Sequence, residues 1–348
     1  MIETPSRAVL RDMGVLHEAE GHAWLELSTS GTTTRPRTVV RSLASWEDSY
    51  DHLSDLTGTT AEDRVLVPAP PTGSMFAFAH AHAAHVGADV VALNRWSLRE
   101  AERALVSCNV AHLTPAMLAG LLERDLGLLR TVVCAGAVLP DGVRRGALAA
   151  GLRVVDYYGA AELSFVAIRR GERLDPFPEV ELDLRDGVIW ARSPWLAQGY
   201  AAGQSGPLRT DEHGWATVGD LGRFDPELGL VVLGRGDDTV TTGGTTVPCS
   251  DVEEAVRSFT SVTEAVAVGT PHPHLGEVLE VVVIGHPDLD LDELRSRTAS
   301  LVAATHLPRR WHRWDRLPLT AAGKVDRSEV SRRLVEERTA TVPSEVAP

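Results

Sequence analysis

The chain has 348 residues, 43% of them hydrophobic and 24% charged, and a formal net charge of -14. That length admits two domains, and the composition is that of an ordinary globular protein with a sizeable core. The acidic balance argues against nucleic acid as a partner, because binding a phosphate backbone needs a basic surface. Cys108, Cys134 and Cys249 stand far apart without Cys-x-x-Cys spacing, so neither a disulfide framework nor a zinc site is expected. The first residues lack a basic segment followed by an apolar one, and no apolar run reaches membrane-spanning length. A cytoplasmic protein without membrane contact is the expectation.

Residues 1–22 are polar and expected to be irregular or partly helical. Ala23 to Leu27 reads as a strand. Ser28 to Thr38 follows, a run of small hydroxylated residues with Gly31, Arg35 and Arg37. Such a loop after a strand leaves N–H groups free and adds O–H donors, which is the chemistry of a phosphate cradle. Without a Walker-type Gly-Lys-Ser/Thr, composition alone also fits a plain surface loop. Ser45 to Leu56 predicts a helix with Ser45 as cap. Arg64–Pro68, Asp89–Leu93, Val110–Leu113, Thr131–Cys134 and Leu152–Val155 predict short strands. Helices are predicted between them at Ser74–Val86, Leu98–Ser107 and Pro115–Leu122. This alternation predicts an α/β domain with a mostly parallel, helix-covered sheet.

From about residue 179 the texture changes. Segments 179–184, 187–191, 214–218 and 230–233 predict a small antiparallel β unit with Gly and Asp turns. Residues 251–258 predict a helix capped by Ser250 or Asp251. Segments 262–269 and 277–284 predict paired strands, and 291–304 an amphipathic helix. The last ~20 residues are polar and expected to fray. A boundary near Gly234-Arg235-Gly236-Asp237-Asp238 divides the chain into residues 1–234 and a small α+β domain, 235–340, joined by a hinge.

Several segments carry possible chemistry. Tyr157-Tyr158-Gly159-Ala160-Ala161-Glu162 follows a strand, and sets an aromatic ring and a carboxylate at a spacing that suits a base and a metal. The same residues would also make a turn with a solvated glutamate. Asp220, after Val218-Gly219, could accept from ribose hydroxyls. Pro318-Leu319-Thr320-Ala321-Ala322-Gly323-Lys324-Val325-Asp326-Arg327 puts a lysine on a glycine-containing loop. His80, His82 and His85 do not share a helical face, so a metal set is not expected from them.

In this order the segments resemble the adenylate-forming superfamily of acyl- and aryl-CoA synthetases, peptide-synthetase adenylation domains and luciferases. The family's phosphate loop, Thr-Ser-Gly-(Ser/Thr)-Thr-Gly-x-Pro-Lys, is matched by Thr29 to Arg37, with Thr34 for glycine and Arg37 for lysine. Its Tyr-Gly-x-Thr-Glu is matched by Tyr158 to Glu162, with Ala161 for threonine. Its Thr-Gly-Asp is matched by Thr217 to Asp220, with Val218 in addition. Its Gly-Arg-x-Asp-Asp is complete at 234–238, and Thr241 stands for the usual lysine after it. Gly243-Gly244, Val247-Pro248 and Asp251-Val252-Glu253 resemble the family's next motif, and Pro-x-Thr-x-x-Gly-Lys-x-x-Arg is complete at 318–327. The stretch before the phosphate loop is short, as in some o-succinylbenzoate-CoA ligases. The resemblance thereby implies a shortened large domain whose open face a homodimer or a second chain would cover.

The resemblance implies two half-reactions. A carboxylate attacks the α-phosphate of ATP to give an acyl-adenylate and pyrophosphate, and a thiol then displaces AMP. Lys324 would bridge the carboxylate and phosphate. Thr29, Ser30, Gly31, Thr32 and Thr33 would hold the other phosphates with Arg37, and Thr33 counts with Lys324 and Glu162 as catalytic. Glu162 would ligate Mg2+. Asp156, Tyr157, Tyr158 and Gly159 would take adenine, Asp220 and Arg235 the ribose, and Asp237 would be the hinge. Phe76, Phe78, His80, Gly136 and Ala160 would line the acyl pocket. Amino-acid-activating relatives place an aspartate where Met75 to His80 has none, so an aryl or aliphatic acid is expected over an α-amino acid. The acceptor expected is CoA. A carrier-protein phosphopantetheine and a catalytically impaired AMP-binding homologue stand as alternatives, and Arg309, Arg310 and Arg313 read equally as CoA contacts or as a solvated turn. The effect on activity of Thr34, Arg37, Ala161 and Thr241 is open.

Overall fold

In the computed structural model the described residues are 3–19, 21–28, 37–71, 73–235, 239–242, 245–272, 275–320 and 323–341. The chain divides into two units, residues 1–232 with 320–324, and residues 233–319 with 325–348. The first unit begins with α1 (Pro5–Asp12), β1 (Leu16–Ala19), β2 (His22–Ser28), β3 (Thr38–Ser42), α2 (Ala44–Glu47) and α3 (Tyr50–Thr57). Then come β4 (Arg64–Val67), α4 (Ser74–Val86), β5 (Asp89–Ala92), α5 (Leu98–Ala104), β6 (Val110–Leu113), α6 (Pro115–Leu121), β7 (Thr131–Cys134), α7 (Asp141–Ala149) and β8 (Arg153–Ala160). The rest is β: β9 (Ser164–Arg170), β10 (Arg173–Pro176), β11 (Glu181–Arg185), β12 (Val188–Arg192), β13 (Gly199–Tyr200), β14 (Arg209–Thr210), β15 (Ala216–Thr217), β16 (Asp220–Asp225) and β17 (Gly229–Arg235).

Strands β5, β4, β6, β7 and β8 pair in parallel in that order. Every residue of β6 and β7 is buried, as expected where helices cover both faces. Thr114 and Pro115 start α6 as cap and first-turn proline. Helix α4 has the predicted bounds and stops at Gly87, whose φ of 79° suits glycine. It is apolar on all sides because it serves two cores. Phe76, Ala79 and Ala83 pack with the parallel strands. Ala77, Phe78 and Ala81 join Trp46, Tyr50, Phe165, Phe177 and Trp195.

Several elements depart from expectation. The polar segment 1–22 holds α1 and β1. The helix predicted at 45–56 is two, α2 and α3, because Ser45 and Ser49 turn their hydroxyls onto the carbonyls of Ser42 (2.6 Å) and Trp46 (2.8 Å). The strand predicted to end at Val155 runs to Ala160, so Tyr158-Gly159-Ala160 lies within β8 and not in a turn. One stretch of β8 pairs in parallel with β7 as far as Asp156, and the next pairs antiparallel with β9 from Tyr157 on. The same sheet therefore continues through β9, β10, β17, β16, β12, β15 and β14, with β10 and β17 paired in parallel. A second sheet orders β1–β2–β3–β13.

The second unit comprises β18 (Thr239–Thr242), β19 (Thr245–Pro248), α8 (Cys249–Arg257), β20 (Val262–His272), β21 (Gly276–Gly285), α9 (Leu291–Thr298), β22 (Arg310–Arg313) and α10 (Arg327–Thr341). Strands β20 and β21 form the predicted antiparallel pair, and β22 adds in parallel to β21. Neither Ser250 nor Asp251 caps α8: the helix starts at Cys249 behind Pro248, and the Ser250 hydroxyl donates to the Leu233 carbonyl (2.8 Å). Helix α9 is shorter than predicted, ending where Thr298 bonds back to Leu294 (2.8 Å). The expected fraying of the tail is corrected by α10, which buries Val330 and Leu334, one helical turn apart, against Val266, Val268 and Val282. Among the described residues no helix is long and apolar enough to cross a membrane.

Candidate active site

In a sheet of this kind ligands gather beyond the carboxyl ends of the parallel strands. Here β6 ends before Thr114, β7 before Ala135 and Gly136, and β8 carries Asp156, Tyr158 and Gly159. Glu162 lies in the turn between β8 and β9. Its side chain is buried, its carboxylate accepts from the Tyr200 hydroxyl (2.8 Å), and its carbonyl accepts from Ala197 N–H (2.8 Å). Gly159 is required beside it, since a Cβ there would stand 2.2 Å from the Ser164 carbonyl.

Asp156, at the β7–β8 junction, accepts from Arg169 Nε (2.7 Å). Burial pushes its carboxyl up, and Arg169 opposes that shift. Tyr158 donates its hydroxyl to Asp220 Oδ2 at 2.5 Å. Asp220 is set by a tight turn in which Gly219 has φ 81° and donates its N–H to Thr217 Oγ1 (3.0 Å). The extra Val218 in this motif is a buried core residue. Tyr157 packs its ring on Phe165, with centroids 4.6 Å apart, and burial holds its hydroxyl protonated.

Lys324 belongs to the first unit with the other residues of 320–324. Thr114 Oγ1 donates to the Gly323 carbonyl (2.9 Å). Gly136 has φ 92°, and a Cβ there would meet Lys324 Cε at 2.8 Å and Nζ at 3.4 Å. The lysine chain thus passes directly over the backbone after β7.

The acyl-pocket residues do not all come together. Phe76 and Phe78 belong to the two separate cores of α4, because a step of two along a helix points to opposite sides. His80 is half-buried, and its Nε2 has no hydrogen-bond partner among the described residues. Burial lowers its pKa. Ala160 is partly buried at the end of β8. His82 and His85 tie α4 to α3 through Ser54 (3.0 Å) and Asp51 (3.0 Å).

Of the phosphate-loop residues, Thr29, Ser30, Gly31, Thr32, Thr33 and Thr34 lie outside the described residues, as does Asp237. The side chains of Arg235 and Thr241 do too. The loop's ends are fixed: Ser28 pairs with Thr38 across β2 and β3, and Thr38 N–H donates to Gln204 Oε1 (2.6 Å). Arg37 acts electrostatically on Tyr200, which links this loop end to Glu162. Mg2+ fits this donor set. Among the described residues no group of three or more His, Cys, Asp or Glu forms a metal cage. Mg2+ ordinarily takes one or two carboxylates and completes its shell with substrate phosphates and water.

Three residues that bond to the segments around Lys324 and Glu162 were not expected from the sequence: Thr114, Tyr200 and Arg41, whose Nη1 donates to the Ala161 carbonyl (3.3 Å). Arg41 had a visible signal, as a lone arginine in the apolar run Val39 to Leu43. Thr114 and Tyr200 had none.

Comparison with known proteins follows the same lines. Residues 27–201 match the family model of the AMP-binding enzymes, and residues 251–324 that of the AMP-binding enzyme C-terminal domain. A probable 2-succinylbenzoate–CoA ligase of Mycobacterium tuberculosis is 30% identical over 360 residues, covering 97% of this chain and 91% of that protein. An uncharacterized acyl–CoA ligase of Bacillus subtilis, YhfT, is 28% identical, over 88% of this chain and 68% of that protein. The crystal structure of ATP-bound MatB from Rhodopseudomonas palustris superposes with a TM-score of 0.77 at 22% identity, covering 88% of this chain and 67% of that one, a likeness of fold.

Proposed function

Because the chain belongs to the AMP-binding enzyme family and is an AMP-forming acid–CoA ligase, we propose that its substrate is an aryl or aliphatic carboxylic acid without an α-amino group. The observation that carries the residue assignments is the position of Lys324 over Gly136, in one unit with Glu162, Tyr158 and Asp220. Bringing a carboxylate to the α-phosphate opposes two anions. A pre-placed ammonium lowers that barrier where the charge develops. Lys324 supplies it. Thr29, Ser30, Gly31, Thr32 and Thr33 with Arg37 hold the remaining phosphates. Asp156, Tyr157, Tyr158 and Gly159 receive adenine. Asp220, steadied by Tyr158, and Arg235 receive the ribose.

Glu162 would hold Mg2+, which when bound would supply positive charge against the phosphates. Tyr200 keeps the carboxylate aimed. Residues 235–340 form a mobile domain hinged at Asp237. A cytoplasmic setting, and a homodimer or second chain as partner, belong to the same reading.

ATP–pyrophosphate exchange with a panel of carboxylic acids tests the proposal. Exchange is expected with aryl or aliphatic acids that lack an α-amino group. Nucleotide binding without exchange for any acid would overturn it in favour of a non-catalytic AMP-binding protein. Product formation with CoA, compared with a holo carrier protein, then identifies the thiol.

Gly136→Ala gives a sharper check on geometry. The added methyl is disfavoured at φ 92° and collides with the lysine chain. Exchange should fall about tenfold, as expected when a reacting group is displaced, with AMP affinity retained. An unchanged exchange rate would count against the role of Lys324.

A further inference from the structure

We propose that Arg41, with Tyr200, is a positioning residue for Glu162 and so sets the Mg2+ affinity of the site; this rests on reading Glu162 as the metal ligand. Arg41 is 1% exposed, on the inward face of β3. Its Nε donates to Ser45 Oγ (3.1 Å), its Nη1 to the Ala161 carbonyl (3.3 Å) and its Nη2 to the Trp195 carbonyl. All three acceptors are neutral. The carboxylate that its charge acts on is Glu162.

The targets of these bonds explain why a cation is kept in a place that would suit an apolar side chain. Ala161 immediately precedes Glu162. Trp195 lies two residues before Ala197, whose N–H holds the Glu162 carbonyl. Arg41 therefore pins both strips of backbone that fix Glu162, and its guanidinium leaves the carboxylate in a positive field. The fork of donors suits this task, since a lysine could not reach three acceptors in one plane. Burial lowers the Arg41 pKa to about 10, with the Glu162 charge opposing the shift, so the cation persists at neutral pH.

The second contact comes from the neighbouring strand. β13 pairs with β3, Gly199 opposite Val40 and Tyr200 opposite Val39. The Tyr200 hydroxyl donates to Glu162 Oε1 (2.8 Å) and accepts from Leu208 N–H (3.1 Å). Two adjacent strands thus hold one cation near one buried carboxylate and aim one hydroxyl at it. β3 also begins where the phosphate loop ends, so loop and carboxylate share a rigid support. Groups that orient a metal ligand commonly control affinity by about tenfold or more.

The test is calorimetric titration of ATP into the purified chain at stepped Mg2+ concentrations, alongside AMP without metal, for Arg41→Met, Arg41→Lys, Tyr200→Phe and Glu162→Gln. None of these readings needs turnover. Arg41→Met should raise the Mg2+ concentration at half-saturation about tenfold and leave AMP affinity unchanged. Arg41→Lys and Tyr200→Phe should each give a smaller rise. Should Arg41→Met fail to fold, the lysine and phenylalanine variants decide. A wild-type Mg2+ dependence in both, or AMP affinity falling in step, overturns the proposal. Glu162→Gln separates the two layers. If it leaves the Mg2+ dependence unchanged, the metal-ligand reading falls and this proposal with it. If it shifts that dependence while the Arg41 and Tyr200 variants do not, only the positioning role is lost.

Discussion

Lys324→Ala is expected to lower adenylate formation by about 10²–10³-fold, the scale of losing one pre-placed charge donor at a developing anion. Thiolysis of a supplied acyl-adenylate should stay near the wild-type rate. The asymmetry follows from the chemistry of the two steps. In the first, a carboxylate and a polyanionic phosphate must meet, and only a cation at their junction offsets the repulsion. In the second, a thiol attacks a carbonyl and AMP departs, with no second anion to bring in. Lys324 lies over Gly136 with its loop held by Thr114, next to the strand ends that carry Asp156 and Tyr158. Exchange of labelled pyrophosphate reads the first step, and AMP release from a synthetic adenylate in the presence of CoA reads the second. Equal loss in both would remove Lys324 from the first step's machinery. Lys324→Arg should rescue little, because a planar fork does not replace a compact ammonium that threads past a glycine.

Helix α4 and strands β6 and β7 were legible in the sequence for a simple reason. An Ala-rich run favours a helix, and short mostly apolar runs between helices have few other uses. The motifs around Tyr158, Asp220 and Lys324 were legible as chemistry, and their resemblance to one family placed them in one enzyme. What stayed hidden depended on partners distant in the chain. The length of β8 is set by β9, which pairs only with its second half, and a pattern scan of residues 152–162 sees a strand followed by a turn. α10 looks like a solvated polar tail, since only Val330 and Leu334 mark its buried side. Thr114 and Tyr200 are ordinary residues locally, and they matter because Gly323 and Glu162 arrive beside them from elsewhere. Arg41 is the intermediate case. It stands out as an arginine beside Val39, Val40 and Leu43, but neither its burial nor its target is legible locally.

The second large effect is on stability, at a carboxylate the reaction does not use. Glu280, on β21, is 1% exposed. It accepts from His312 Nε2 (2.7 Å) and Arg310 Nη1 (2.9 Å) on β22, Arg338 Nη1 (3.0 Å) on α10, and the Thr270 hydroxyl on β20. One side chain thereby joins three strands and the last helix of the second unit. Burial alone would push its carboxyl up, but the bonds from His312, Thr270 and Arg310 outweigh it and hold the pKa at about 2, against an ordinary 4.5.

Glu280→Ala removes the acidic partner shared by Arg310, His312 and Arg338 and leaves two guanidinium groups facing each other near a buried strand. The expected cost is about 3–5 kcal/mol, as for breaking a buried ion pair from one side. Glu280→Gln keeps an acceptor and should cost less. Hydrogen exchange should show β20, β21, β22 and α10 losing protection, while β4 to β8 keep theirs. The pH dependence has a definite sign. A carboxyl whose folded pKa is depressed stabilises fully above its unfolded value of about 4.5, and the contribution is lost as pH falls through about 2. The gap between wild type and Glu280→Ala should therefore be constant at neutral pH and narrow only below that range. A gap that closed near neutrality would overturn the assignment of this coupling to the Glu280 carboxylate.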